Sequence, residues 1–294
     1  MDAPWQPRPW LPPLLVTVAL LVLFSDMCLA WQLPASSTQV FHSPRQQLRP
    51  APFLSRERPT WRRRRASTGD PVNAMNSESE VAAQSHGALV EGLLALTGDP
   101  LEKVQEGGRI VVFRGNPSAR LMLVGEAPGA EEDKLGVPFV GRSGQLLDTI
   151  LRAVGLDPDR DVYISNIVRR RPLDNRTPTP EEMDYYLPFL LEEIRLVDPD
   201  IIVTLGASST KALLPFETRG ITKARGQWAD LDALGQVHGG VLQGRLVMPW
   251  FHPSYLIRNA GERSRQEGGV RWHTRNDVRE VLNAMRFNAK HSSP

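Results

Sequence analysis

Cysteine is nearly absent from this chain of 294 residues, in which Cys28 is the only one. A single thiol excludes an intrachain disulfide, a cysteine-bound iron–sulfur cluster and a cysteine-based zinc finger. The chain also contains no GxGxxG run and no GKS or GKT run. The loops that typically bind dinucleotides and nucleoside triphosphates are therefore missing as well.

Net positive charge is lacking over most of the chain, although the whole chain carries a formal charge of +2. Residues 1–69 contain nine arginines against the three acids Asp2, Asp26 and Glu57, which gives them +6 and leaves −4 for residues 70–294. A negatively charged domain does not attract nucleic acid through its overall field. Any nucleic-acid surface in the second part must therefore be a local basic patch.

The N-terminal segment has the layout of a signal peptide. The apolar run Leu14–Phe24 is about eleven residues long, which is too short to span a bilayer comfortably. It follows Arg8 and leads to Cys28-Leu29-Ala30, which places small residues at the −3 and −1 positions of a cleavage site. We expect residues 1–30 to be a cleaved signal peptide, and a short membrane anchor is the alternative.

Residues 31–85 have the composition of a transit peptide followed by a linker. From Trp31 to Thr68 the chain is rich in serine, proline and arginine, and Glu57 is its only acid. Together with the signal peptide, this predicts import into a plastid through the secretory route, with the mitochondrion as an alternative. Arg62–Arg65 also fits a nuclear signal or a nucleic-acid-binding arm. Residues 86–294 are then the folded domain, which we expect to be a monomer without stable membrane association after processing.

Four mainly apolar runs within this domain predict strands, and the continuous run Leu121–Val124 is typical of a strand that is buried on both faces. The four runs are Leu121–Val124, Val162–Val168, Ile201–Leu205 and Leu246–Trp250, with a brief strand-like run at Arg109–Phe113. Helical spacing separates them, most clearly at Gly144–Val154 and after the capping sequence Thr179-Pro180-Glu181-Glu182. Strands that alternate with helices predict an α/β domain with a mainly parallel sheet.

Ligands of such sheets bind beyond the carboxyl ends of the strands. Four segments lie there: 125–129, 166–176, 206–209 and 251–258. Asn166 follows the second strand, and its amide offers both a donor and an acceptor to a pyrimidine edge. The arginines at 169, 170, 171 and 176 form either a basic patch or a solvated loop. Phe139 is either a stacking surface for a base or a core residue, and Glu126 is either a site carboxylate or an exposed turn residue.

The segment 251–258 carries the last of these candidates. His252 lies there in a predicted loop with Pro253, Ser254 and Tyr255, where it is either a structural histidine or part of a wedge that enters DNA.

Taken together, these segments resemble the family 4 uracil-DNA glycosylases. The shared motifs are, in chain order, GEAPG, EED…G.PFVGRSGQLLD, YISNIV..RP..NRTPTPEE, IIVTLG, ITKARGQW and HPSYLIRN. The similarity runs from about Ile110 to Asn259. It implies a three-layer α/β/α sandwich around a four-stranded, mainly parallel sheet, and an enzyme that hydrolyses the N-glycosidic bond of uracil in DNA.

The resemblance also implies a role for each matching residue. Phe139 would stack on a flipped uracil, Asn166 would bind its Watson–Crick edge, and His252 would bind the oxygen that gains charge. The turn at 125–129, including Ala127, would contact the base and hold the water, with Glu126, Glu132 and Asn175 as its polar partners. Glu126 favours family 4, since the similar family 5 lacks this carboxylate. The implied DNA-binding residues are Arg169, Arg171, Arg176, Pro253, Ser254, Tyr255 and Arg258.

The chain departs from the family at its iron–sulfur cluster. Family 4 enzymes hold that cluster with four cysteines, and two of these places carry Arg170 and Tyr186 here, while the other two lie near Asp99 and Glu102. We therefore expect no cofactor and no metal, and we expect Arg170 to be exposed or paired. Two alternatives remain: a binding protein that has lost catalysis and holds DNA or RNA, and a glycosylase for other deaminated bases.

Overall fold

The computed structural model describes residues 85–102 and 108–291, with side chains as far as Phe287 in the last helix. The predicted signal peptide at 1–30 and nearly all of the transit-like segment at 31–85 lie outside these residues. Within the described part of the chain, no helix combines the length and the hydropathy that a membrane span requires.

A five-stranded sheet forms the centre of the domain. Its strands are β1 (Phe113–Gly115), β2 (Leu121–Gly125), β3 (Val162–Asn166), β4 (Ile201–Leu205) and β5 (Leu246–Trp250), in the order β1-β3-β2-β4-β5. Strands β2 to β5 run parallel, and β1 is antiparallel to β3. The α/β class and the mainly parallel sheet are confirmed, whereas the sheet has one strand more than the four that the family resemblance implied.

The additional strand lies at the sheet edge. The predicted strand-like run at Arg109–Phe113 pairs with β3 only from Phe113 onwards. Upstream of it the chain stays extended, and the backbone N–H of Val111 donates to the carbonyl of Arg169 at 2.8 Å.

Side chains alternate between the two faces of the sheet and build two separate cores. Met122, Val124 and Ile202 pack on one face, and Leu121, Leu123 and Val203 pack on the other. Every residue of β2, β3 and β4 is buried, which explains why apolar residues predominate in the sequences of these strands. Helices cover both faces, so the domain has the predicted three layers.

The α-helices are α1 (85–94), α2 (Ala130–Leu135), α3 (Arg142–Ala153), α4 (Pro180–Val197), α5 (Ala207–Leu213), α6 (Ile221–Ala224), α7 (Leu231–Gln236), α8 (Pro253–Arg258) and α9 (Val270–His291). Short 3₁₀ turns occur at Leu173–Asn175, His238–Gly240 and Glu262–Ser264. The predicted capping box of α4 is present, because Thr179 accepts from the Glu182 backbone and Glu182 accepts from the Thr179 backbone. The predicted loop at 251–258 is instead mostly helix α8, with Pro253 in its first turn.

Candidate active site

The carboxyl ends of four parallel strands bring the predicted site residues together. Gly125 at the end of β2 lies opposite Asn166 at the end of β3, and Gly206 and His252 follow the paired strands β4 and β5. A Cβ atom placed on Gly125 would lie 2.5 Å from Cζ of Phe139 and would also clash with Oδ1 of Asn166. The phenyl ring and the amide therefore converge on the same backbone, and only glycine leaves room for both.

Asn166 provides a buried hydrogen-bonding group without a partner. The residue is 1% exposed, and its Oδ1 makes no hydrogen bond among the residues that the structure describes. Buried acceptors without a partner are uncommon because desolvation is not compensated. The β2–β3 ladder holds the backbone of Asn166, and the next residue, Ile167, donates its N–H to the carbonyl of Gly125 at 3.1 Å. Oδ1 of Asn166 therefore keeps an unused acceptor capacity at the end of β3.

Phe139 forms an apolar wall beside this amide. It is 6% exposed, and its backbone has φ 56°, in the left-handed region that a bulky residue rarely adopts. The start of α3 confines it, because a Cβ on Gly144 would clash with the Phe139 carbonyl. Backbone strain of this kind persists where surrounding contacts impose it, often at functional sites.

His252 lies on the opposite side of the site, and its ring centroid is 6.0 Å from that of Phe139. It caps α8, because its Nδ1 accepts a hydrogen bond from the backbone N–H of Ser254 at 3.1 Å. Burial, helped by the charge of Arg258 and opposed by that of Glu132, lowers the pKa of His252 from 6.5 to about 4. The ring is therefore neutral at pH 7, and because Nδ1 accepts, Nε2 carries the proton and is a donor.

Glu126 leads from β2 into the turn at 125–129 together with Ala127, and both are half-buried. Its carboxylate accepts a hydrogen bond of 2.5 Å from the hydroxyl of Ser208 in α5. No role was predicted for Ser208, although it falls in the segment that follows β4. Because this segment was predicted to lie at the same sheet edge as Glu126, a contact between Ser208 and Glu126 could have been predicted.

Glu132 has a role beyond the one predicted. It is 8% exposed, and its two carboxylate oxygens accept from the backbone N–H groups of Gly129 at 3.1 Å and Gly141 at 2.7 Å. These bonds tie the 125–129 turn to the segment that carries Phe139. Glu132 therefore positions two loops, and its role as a partner of the water stays a prediction.

The loop after β3 is less basic towards solvent than its sequence indicated. Asn175 is exposed, and its Oδ1 accepts from Nε of Arg171 at 2.8 Å instead of joining the 125–129 turn. Arg176 makes two hydrogen bonds to Glu182, at 2.8 and 2.6 Å. These contacts do not support the predicted catalytic role of Asn175, and they partly neutralise the positive charge that the loop offers to DNA.

Arg169 was predicted to bind DNA, and the structure contradicts this. Its side chain is 0% exposed and forms an ion pair of 2.8 Å with the equally buried Glu193. It also donates to Ser165 and, at 2.9 Å, to the carbonyl of Val112. The chain leaving β3 turns this guanidinium into the protein, where it binds α4 to the sheet edge.

Helix α8 and its neighbours offer a different basic surface. Pro253 is buried, Ser254 bonds Nδ1 of His252 through its hydroxyl at 2.8 Å, and the Tyr255 ring packs 4.9 Å from that of Phe251. Arg258 is exposed.

An open groove of about 440 Å³ runs beside Arg258, lined by Arg142, Gln145, Leu146, Thr149, Ile257, Ala260 and Arg271. Arg142 and Arg271 could not be predicted as site residues from the sequence, because only the fold brings α3, α8 and α9 together.

The places of the family's cluster ligands do not fit an iron–sulfur cluster. Two of them hold Arg170 and Tyr186 and the other two lie near Asp99 and Glu102, and none of these residues supplies the thiolates that such clusters require. Among the described residues, no group of three or more histidines, cysteines or carboxylates has a metal-binding arrangement. The expectation that Arg170 would be exposed or paired is confirmed, because it is buried and forms an ion pair of 2.6 Å with Asp99.

Comparison with known proteins agrees with this geometry. The sequence model of the uracil DNA glycosylase superfamily matches residues 112–281. A type-4 uracil-DNA glycosylase of Thermotoga maritima is 46% identical over 157 residues, which cover 53% of this chain and 76% of the relative. A type-4 enzyme of Pyrobaculum aerophilum is 38% identical over 165 residues, covering 54% and 78% of the two chains. A type-5 uracil-DNA glycosylase of the same organism is 34% identical over 170 residues, covering 52% and 70%. The chain belongs to the uracil DNA glycosylase superfamily, in the branch of the type-4 enzymes.

Proposed function

We propose that this protein is a uracil-DNA glycosylase, which flips uracil out of DNA and hydrolyses its N-glycosidic bond to leave an abasic site. It thereby starts base excision repair. The observation that carries the proposal is the buried, unpartnered Oδ1 of Asn166 beside the ring of Phe139. Uracil presents an N–H at the centre of its Watson–Crick edge, whereas cytosine presents an acceptor there. Oδ1 accepts a hydrogen bond from the N–H of uracil and repels the acceptor of cytosine. Binding of cytosine would leave the buried Oδ1 unpaired, which lowers the affinity for the wrong base.

Phe139 and Asn166 act on the base before the bond breaks. The ring stacks on the face of the extruded uracil, while the amide binds its edge. Extrusion costs a few kcal/mol, which stacking and the new hydrogen bonds offset. Because the ring and the amide are already held against Gly125, the bound base meets preorganised groups.

His252 acts as the bond breaks. The electron pair of the glycosidic bond moves onto uracil, and negative charge develops on its oxygen. Nε2–H of the neutral imidazole donates a hydrogen bond to that oxygen and stabilises the departing anion. The sugar becomes oxocarbenium-like, water adds to its anomeric carbon, and the water loses a proton.

Glu126 supports the second half of this reaction. Its carboxylate, held by Ser208, provides negative charge beside the developing cationic sugar and an acceptor for the attacking water. The other two predicted partners of the water, Glu132 and Asn175, also hold neighbouring groups, since Glu132 accepts from Gly129 and Asn175 accepts from Arg171.

DNA binding is assigned to the surface around α8. Arg258 and the two arginines of the neighbouring groove, Arg142 and Arg271, would contact phosphates on either side of the flipped nucleotide. Since residues 70–294 carry a formal charge of −4, this local patch must supply the electrostatic attraction. A single domain suffices for these contacts, so the proposed active form is a monomer.

The test is strand cleavage by alkali after incubation with labelled oligonucleotides that contain one uracil, placed opposite G or A or left unpaired. Asn166→Asp is expected to lower uracil release by about 100-fold or more, because an ionised carboxylate cannot donate to the base. His252→Ala is expected to lower it by about 10²–10³-fold. Glu192→Gln, at an exposed ion pair with Arg195, is the control and should leave release unchanged.

Three outcomes would contradict the proposal. Folded protein that binds these oligonucleotides but releases no uracil would indicate a binding protein that has lost catalysis. Release confined to oligonucleotides with hypoxanthine or xanthine would indicate a glycosylase for deaminated purines. Full activity in both variants would remove Asn166 and His252 from the mechanism.

A further inference from the structure

Four side chains at or near the places of the cluster cysteines form one hydrogen-bonded network. We call this network the Arg170 clamp, and it consists of Asp99, Glu102, Arg170 and Tyr186. Asp99 and Tyr186 are fully buried, and Arg170 is 7% exposed. Nε of Arg170 donates to Asp99 at 2.6 Å, and one terminal nitrogen lies 3.2 Å from Glu102. The hydroxyl of Tyr186 donates to the other oxygen of Asp99.

Backbone groups satisfy the remaining hydrogen-bonding capacity of the clamp. Arg170 also donates to the carbonyls of Gly108 and, at 3.1 Å, Leu96. Asp99 accepts from the backbone N–H groups of Leu101 at 3.1 Å and Glu102 at 2.9 Å. A buried ion pair is tolerated when its charges are paired and hydrogen-bonded in this way.

Asp99 in the clamp remains ionised at neutral pH. Burial favours the neutral acid and raises the pKa of Asp99, but the hydrogen bonds from Tyr186 and Arg170 outweigh this effect, so that the pKa lies below its ordinary value. The carboxylate form is also the one that the arginine requires.

The clamp joins parts of the chain that are distant in sequence. Asp99 and Glu102 belong to the segment after α1, and Gly108 begins the strand-like run on the other side of residues 103–107. Arg170 follows β3 only four residues after Asn166, and Tyr186 belongs to α4. A cluster with four ligands makes the same kind of cross-link, but the clamp makes it with ion pairs and hydrogen bonds.

We propose that the Arg170 clamp is a metal-free structural cross-link that takes the place of the iron–sulfur cluster, so that the segment after α1 is held on the domain without iron. The protein is then insensitive to chelators and oxidants that dismantle such clusters. This inference concerns folding and does not depend on the proposed glycosylase activity.

The experiment uses the full chain, purified from cells grown with ample iron. Iron and acid-labile sulfide should be absent at stoichiometric level. The temperature of the unfolding midpoint should be unchanged by a strong iron chelator and by ferricyanide. Bound iron near one cluster per chain, or a midpoint that the chelator lowers, would overturn the proposal.

Variants then test whether the clamp is the cross-link. Asp99→Asn removes the buried carboxylate from the guanidinium and leaves it the partly exposed Glu102, and the midpoint is expected to fall by about 10 °C. The double variant Asp99→Asn with Arg170→Met removes both charges, so its midpoint should lie well above the value expected by adding the two single losses. Glu192→Gln at the exposed pair with Arg195 should shift the midpoint by less than about 2 °C.

Tyr186→Phe keeps the proposal testable if Asp99→Asn does not fold. It deletes a single hydroxyl, so the domain is expected to remain folded. Amide hydrogen exchange should accelerate at Leu101 and Glu102, whose N–H groups donate to Asp99, while the amides of β2 and β4 keep wild-type rates. Unchanged exchange at both amides, or additive losses in the double variant, would show that these residues do not form a cross-link.

Discussion

Single residues account for most of the chemistry proposed here, and His252 is the one whose ionisation can be measured directly. Its pKa of about 4 places its protonation well below the ordinary 6.5. The protonation of His252 is therefore expected to cause no inflection near pH 6.5 when the rate of uracil release is measured between pH 5 and 8. Single-turnover rates over this range test the prediction, and an inflection near 6.5 that disappears in His252→Gln would contradict it.

The same lowered pKa affects stability in a defined direction. Because the unfolded chain binds the proton more tightly, the stability that the neutral His252 contributes is fully present above pH 6.5. It is lost as the pH falls from there through about 4. Denaturant unfolding of the wild type and of His252→Gln at several pH values should therefore show the wild type losing more stability over this interval. Parallel losses would indicate that the histidine is not shielded from water.

Gly125 shows how strictly the site depends on backbone geometry. In Gly125→Ala the new Cβ would clash with Phe139 and Asn166 together, and neither can retreat into the packed core. We expect uracil release to fall by about 100-fold or more while circular dichroism still reports a folded domain. Gly92→Ala is the matched control, since a Cβ there meets no atom within 4 Å. Wild-type release in Gly125→Ala would mean that the phenyl ring does not occupy this position.

At the scale of elements, Glu132 couples α2 and the preceding turn to the segment that carries Phe139. In Glu132→Gln the amide keeps one acceptor oxygen, so the N–H of either Gly129 or Gly141 loses its partner. We expect the unfolding midpoint to fall by about 2–4 °C and uracil release to fall about tenfold. Glu131→Gln alters the exposed neighbour, which pairs only with Lys134 on the surface, and should change neither quantity. Equal behaviour of the two variants would rule out the coupling.

The elements also differ in how well their sequences predict them. Strands β2 and β4 could be predicted because both of their faces are buried. Helix α4 could be predicted because the residues of its capping box lie close together in the sequence. Strand β1 was misplaced because it is three half-buried residues at an edge. Helix α8 was predicted as a loop, although proline suits the first turn of a helix, where Pro253 lies.

The site shows the same division. The positions of Asn166 and His252 at one sheet edge could be predicted because each lies where a strand ends, whereas Phe139 was named from the motif that it shares with the family. The partners of Arg169 and Glu132 could not, because Glu193 lies 24 positions away on another element and the backbone N–H groups that hold Glu132 leave no trace in the sequence. In the sequence, an arginine within a basic run is the same whether its side chain is exposed or buried. Only the packing of the folded chain determines which of the two it is.

For the whole molecule, the predicted leader still has to be tested. Fluorescent protein fused behind residues 1–85 is expected to accumulate in the plastid of an alga whose plastids are reached through the secretory route. Fusion behind residues 1–30 alone should enter that route and stop before the plastid, because the arginine-rich segment is missing. Microscopy with organelle markers distinguishes these results. Mitochondrial accumulation of the longer fusion would support the alternative destination.

The strand order has a consequence for damaged copies of this protein. Strand β2 lies between the half of the sheet that leads to Asn166 and the half that leads to His252, and β5 is added from the far end of the chain. A polypeptide that terminates before Leu246 would contain the residues that read the base but not the residue that releases it. It would also expose the edge of β4 to other chains. Premature termination is therefore expected to yield an aggregation-prone product with no residual repair capacity, so that such alleles would behave as complete losses.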